Sequence, residues 1–91
     1  MNSKLLTLRG QVQGVGFREW MVREATRLSV SGWVRNRADG SVEALLAGPP
    51  AAVEELARLC RRGPSLAEVV SLTEELTDPP PEPGFQRRAD A

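Results

Sequence analysis

Residues 10–18 read GQVQGVGFR, three glycines and one arginine with no acid among them, between a short apolar run and a segment with helical spacing. Upstream, Lys4–Gly10 (KLLTLRG) puts Leu6 and Leu8 on one face, the pattern of a half-buried strand. Downstream, Phe17, Trp20, Met21, Ala25 and Leu28 recur at steps of three and four, with Arg23 and Arg27 on the other side. That spacing predicts an amphipathic helix. A strand that turns into a helix through glycine defines the first unit of the fold.

Two segments rich in β-formers follow, Val30–Asn36 (VSGWVRN) and Ser41–Gly48 (SVEALLAG). Asp39-Gly40 between them is a hairpin signal, because glycine accepts positive φ without steric cost. Pro49-Pro50 opens a second helix, where a fixed φ and a missing amide proton suit the first turn. Its apolar stripe is Val53, Leu56, Ala57 and Cys60, widened by Ala52 and Leu59. Arg61-Arg62 favour the negative end of the helix dipole, and Gly63-Pro64 stop the helix. Ala67–Leu76 predicts a fourth strand. Thr77–Gly84 (TDPPPEPG) cannot enter a ladder and reads as a stiff, polyproline-like connector. Phe85–Arg88 predicts a short edge strand, and residues 89–91 a frayed tail.

The order βαββαβ, with a short fifth strand, implies an α+β protein of one domain over residues 1–91. Two helices would cover one face of an antiparallel sheet, the two-layer split βαβ or ferredoxin-like arrangement. That fold hosts enzymes, carriers and RNA binders, so activity has to be argued from a site.

Composition narrows the chemistry. The 91 residues include no histidine and one cysteine, Cys60. A disulfide within the chain and a histidine-activated nucleophile are excluded, and a zinc site of nitrogen and sulfur ligands nearly so. Cys60 is in phase with the second helix's apolar stripe and reads as a buried structural thiol. Formal net charge is zero, which argues against a general nucleic-acid binder or a polybasic membrane module. The charge is uneven, with seven basic against four acidic residues over 1–45 and five against eight over 46–91. A basic half that carries a glycine loop suggests a small anionic ligand. The N-terminal apolar run is too short for a signal peptide, and no stretch could span a bilayer, so a cytoplasmic location is expected.

The sharp turn from strand to helix accounts for one or two of Gly10, Gly14 and Gly16. Beyond that, a glycine loop entering a helix leaves backbone N–H groups free, with the helix dipole behind them, and makes an anion pocket. Arg18, in the first turn, can close on a phosphate through two parallel hydrogen bonds. No lysine–serine or lysine–threonine pair follows, as a Walker loop needs, and no third glycine completes a dinucleotide fingerprint after Gly14-Val15-Gly16. A single phosphoryl group is the better match. Asn36 sits at the hairpin tip, where asparagine is by itself a turn former.

Taken together, GQVQGVGFR and GWVRNRADGSVE (Gly32–Glu43) resemble the paired signatures of the acylphosphatase family, and the likeness runs through most of the chain. The resemblance implies hydrolysis of the mixed anhydride of a carboxylic acid and phosphoric acid, with no metal and no organic cofactor. It also implies that the backbone amides of Gln13, Gly14, Val15, Gly16, Phe17 and Arg18 hold the phosphate. The Arg18 guanidinium would clamp it, and Asn36 would position the attacking water. Gly32, Trp33 and Gly40 would support the hairpin. The implied partner is a small-molecule acyl phosphate, with inorganic phosphate as product and competitive inhibitor. No nucleic acid and no membrane are expected, and the chain is expected to be a monomer. An acyl phosphate expels a carboxylate, which needs little protonation, so the lack of histidine is no obstacle.

Two departures stand out. Gln11 replaces a usually basic residue, and Leu28-Ser29-Val30 replaces the usual Leu-Gly-Leu. Other readings are a module that binds a phosphorylated metabolite without turnover, and a domain fused to a carbamoyl-transferring enzyme of hydrogenase maturation. The second is disfavoured on the expectation that no further domain flanks residues 1–91. An RNA-binding sheet would need exposed aromatics, and outside the first helix only Trp33 and Phe85 could serve.

Overall fold

The structure is a computed structural model that describes residues 2–79 and 82–91. In chain order the elements are β1 (Asn2–Gln11), α1 (Phe17–Leu28), β2 (Ser31–Asn36), β3 (Val42–Gly48), α2 (Pro50–Cys60), β4 (Glu68–Leu76) and β5 (Phe85–Arg87). The strands form one sheet in the order β4-β1-β3-β2-β5. Both helices lie on one face, giving the two layers expected. α1 buries Phe17, Met21 and Ala25, and α2 buries Val53, Leu56, Ala57 and Cys60. They pack on Leu6, Leu8, Val34, Val42, Ala44 and Leu46 of the sheet. Each such aliphatic side chain, taken out of water, contributes about 1.5–3 kcal/mol. Trp20 and Leu28 pack, partly buried, against this core.

The sheet is mixed rather than antiparallel throughout, because β5 pairs in parallel with β2, from Gly32↔Phe85 to Val34↔Arg87. The cause is topological. β4 and β5 occupy opposite edges, so the chain after Leu76 crosses the end of the sheet and enters β5 beside the start of β2. No hairpin return is available to it. The polyproline expectation falls partly on Pro80 and Pro81, outside the described residues; Thr77–Pro79 has no regular secondary structure.

Gly10 belongs to β1 and not to the loop. The register with β4 shifts between Arg9 and Gly10, and a Cβ at Gly10 would lie 2.3 Å from the Glu68 carbonyl oxygen. This glycine serves the close approach of two backbones at an irregular ladder. The loop therefore shortens to residues 12–16. At the other end of α1, Ser29 takes the left-handed conformation at φ 59° and ψ 37°. Its N–H donates to the Thr26 carbonyl, and the Val30 N–H to the Ala25 carbonyl at 2.8 Å. The first departure from Leu-Gly-Leu thus puts a side chain where glycine is favoured.

β1 and β2 run in the same direction with β3 between them, and Leu8 and Asn36 both pair with Val42. Their C-terminal ends are therefore level, two interstrand spacings or roughly 10 Å apart. The loop after β1 and the hairpin after β2 meet at this end.

Candidate functional site

The loop at the end of β1 is shaped by two left-handed residues, Gly14 at φ 73° and Gly16 at φ 80°. Nothing lies within 4 Å of a Cβ built at either position, so conformation and not space demands glycine there. Gly16 is also the N-cap of α1, and no side chain caps the first turn. The first backbone bond of the helix runs from the Trp20 N–H to the Gly16 carbonyl at 3.0 Å. Helix geometry leaves the amides before it without intrahelical partners, at the positive end of the dipole.

The hairpin at the end of β2 is tied off by its own polar groups. The Arg37 N–H donates to the Ser41 carbonyl at 2.9 Å, and the Gly40 N–H to the Arg37 carbonyl at 3.1 Å. Asp39 Oδ1 accepts the Ser41 hydroxyl and its N–H, which together hold the Asp39 carboxyl down at about 2. A strut joins the two connections. Gln13 Nε2 donates to the Arg37 carbonyl at 2.8 Å and to the Ser41 carbonyl at 2.9 Å. The sequence reading assigned Gln13 only a backbone role; its side chain sets the loop against the hairpin.

Between the two connections lies a cavity of about 100 Å³, lined by Val12, Gly14, Gly16, Phe17, Arg18, Glu19, Asn36 and Arg87. Most of the residues picked out from the sequence thus converge, with Val15 packed against the core and Gln13 acting as the strut. Asn36 is 8% exposed, and among the described residues its Oδ1 is a buried acceptor with no hydrogen-bond partner. An orphaned buried polar atom costs about 1–3 kcal/mol, which calls for a bound donor such as water. Gln11 lies outside the lining, exposed on β1 opposite Glu68.

Three residues of the site gave no sequence signal. The Arg18 side chain, 24% exposed, donates from Nη1 to Asp90 Oδ1 at 2.9 Å. Arg87 pairs with Glu19. Residues 89–91, expected as a frayed tail, have no regular secondary structure, yet the Ala91 N–H donates to the Asn36 carbonyl at 2.9 Å. The C-terminal segment therefore runs along both Arg18 and Asn36.

A larger depression of about 350 Å³ lies beside α2, between Lys4, Glu54, Glu55, Arg58, Arg61 and Glu74. Its cations are interleaved with three carboxylates, as in Lys4–Glu74 at 2.9 Å and Arg58–Glu55 at 2.8 Å, and α2, whose first turn borders it at Ala51, presents Glu54 beside it. A phosphoryl group is better served by the smaller cavity. Cys60 is remote from both roles, with its thiol pushed up to about 12 by burial. Trp33 has the guanidiniums of Arg35 and Arg88 each 4.9 Å from its ring centroid, and Phe85 packs against the core. Among the described residues no group of three or more His, Cys, Asp or Glu could hold a metal ion, and no helix is long and apolar enough to cross a membrane.

A family model described as Acylphosphatase matches residues 4–87. The chain belongs to the acylphosphatase family. An acylphosphatase of Acidiphilium cryptum is 62% identical over 89 residues, 98% of each chain. The crystal structure of an acylphosphatase from Bacillus subtilis matches with a TM-score of 0.90 at 30% identity, over 97% of this chain and 99% of that one. An acylphosphatase structure from Coxiella burnetii gives 0.90 at 31% identity, over 96% and 92%. Family and fold agree with the two-layer architecture, and the substrate class the family implies is a small acyl phosphate.

Proposed function

We propose that the chain hydrolyses acyl phosphates in the cavity at the ends of β1 and β2. The observation that carries the reading is the convergence on one cavity of an uncapped helix start, a guanidinium and Asn36, whose buried Oδ1 has no partner among the described residues. The phosphoryl oxygens accept from the backbone amides of Gln13 to Arg18, and Arg18 clamps them from the side. Asn36 Oδ1 accepts a hydrogen bond from a water and holds it for attack on phosphorus.

The water oxygen bonds to phosphorus as the bond from phosphorus to the acyl oxygen breaks. The electron pair leaves with the carboxylate, and both protons of the water stay with the released dihydrogen phosphate. No general acid is needed, because a carboxylate is a good leaving group. Fixed amides and Arg18 stabilise the charge that builds up on the equatorial oxygens without reorganising. The reaction on this account draws on neither a metal nor an organic cofactor. Inorganic phosphate, which fits the same cradle, competes with substrate. The chain acts as a monomer in the cytoplasm, a compartment that suits an unpaired Cys60 thiol.

The test is hydrolysis of benzoyl phosphate in the presence of a metal chelator. Turnover far above the uncatalysed rate, inhibited competitively by inorganic phosphate, is the expected result. A folded protein that binds phosphate yet leaves benzoyl phosphate intact would overturn the reading and make the chain a phosphate-binding module.

A further inference from the structure

The cavity mouth carries a second guanidinium that hydrolysis, as derived above, does not use. Arg87 reaches it because β5 lies parallel to β2: the pairing Val34↔Arg87 turns its side chain to the helix-covered face, beside the start of α1. Its partner Glu19 lines the same mouth, and the two side chains are 45% and 60% exposed. An ion pair that open to water contributes about 1 kcal/mol or less. A ligand anion can therefore take the place of Glu19 on Arg87 at little cost.

With the phosphoryl group on the loop amides, the acyl chain leaves through the open mouth. Val12 and Phe17, both buried, close the inner side, and Arg87 and Glu19 are the exposed charged side chains on the outer side. We propose that Arg87 is a specificity-determining residue that selects acyl phosphates bearing a carboxylate on the acyl chain over uncharged ones. A planar carboxylate matches one edge of a guanidinium with two parallel hydrogen bonds. A second phosphate dianion is less suited, since Glu19 lines the mouth, Asp90 pairs with Arg18 beside it, and both repel charge in proportion to its size. Glu19 is then an internal competitor, which holds Arg87 over the mouth in the free protein and yields to the substrate's carboxylate.

This inference rests on the proposed acyl phosphate chemistry, and its test separates the two. The probes are 3-phosphonopropionate and propylphosphonate, which share a phosphonate and a three-carbon chain but differ in carboxylate against methyl. Neither can be hydrolysed, and both are titrated calorimetrically into the full chain. The wild type is expected to bind the carboxylated probe about tenfold more tightly. Arg87→Gln should bring the ratio of the two affinities to about one, and Glu19→Gln should widen it beyond the wild-type value. Measurable propylphosphonate binding in each variant establishes that its cradle is folded. A wild-type ratio near one, or a ratio unchanged by Arg87→Gln, overturns the inference. Wild-type hydrolysis of benzoyl phosphate, measured in parallel, reports on the underlying chemistry alone.

Discussion

The β2–β3 turn and the loop from β1 to α1 meet at one end of the sheet and treat their polar groups in opposite ways. In the turn, Arg37, Asp39, Gly40 and Ser41 satisfy one another within five residues. In the loop, two left-handed glycines and an uncapped helix start leave donors unspent, and across the cavity Asn36 Oδ1 is left without a partner. The closed turn is scaffold and the open loop is binding surface, held in register by the Gln13 strut. Backbone binding groups, on this view, are those that the fold leaves unpaired at a place it has made rigid, while the guanidiniums of Arg18 and Arg87 are held by the exposed carboxylates of Asp90 and Glu19.

The comparison breaks most severely at Arg18. Arg18→Gln removes the only side-chain clamp proposed for the phosphate and should lower kcat/KM for benzoyl phosphate by roughly 100- to 1,000-fold, about 2.7–4 kcal/mol. Steady-state kinetics check it. Gln13→Ala should come next. It removes one of the two donors that each of the Arg37 and Ser41 carbonyls accepts and uncouples loop from turn, costing about 1–3 kcal/mol in urea unfolding and weakening inorganic phosphate binding as well. If stability falls while phosphate affinity holds, the strut does not set the loop.

Ser29 is a control outside both connections. Ser29→Gly relieves a left-handed side chain at the end of α1 and should stabilise the fold by about 0.5–1 kcal/mol, with turnover unchanged. Thermal unfolding reads this out. The smallest effect belongs to the closed turn and is visible only through pH. The folded-state Asp39 carboxyl sits at about 2 against an ordinary 3.8, so its contribution is full above pH 4 and is lost as pH falls toward 2. In Asp39→Asn that part of the acid dependence of Tm should vanish.

What was legible in the sequence divides along the same physical line. Local periodicity is carried by neighbours, so Leu6 and Leu8, the α1 stripe and the Asp39-Gly40 turn were readable, and the architecture followed from their order. Gly14, Gly16 and Arg18 are legible as a candidate anion pocket from residue type and position, whereas Asn36, alone a turn former, is singled out only through the family resemblance; all four line one cavity. Gly10, which the sequence places both at the end of the first strand and among the loop glycines, is strand, and only the β4 ladder reveals the close approach it permits. Glu19, Arg87 and Asp90 were silent. Their pairings span 68 and 72 residues and exist only because β5 docks in parallel on β2, which no short-range pattern encodes.

The central claim is tested most directly at Asn36, by measuring kcat for benzoyl phosphate and Ki for inorganic phosphate with the wild type and Asn36→Ala side by side. The account predicts that kcat falls about 100-fold or more, as for loss of a single catalytic hydrogen bond in a preorganised site, while Ki stays within about twofold. Equal losses in both, or an unchanged kcat, would contradict it, because Asn36 would then bind the phosphate or do nothing, and the water would have to be held elsewhere.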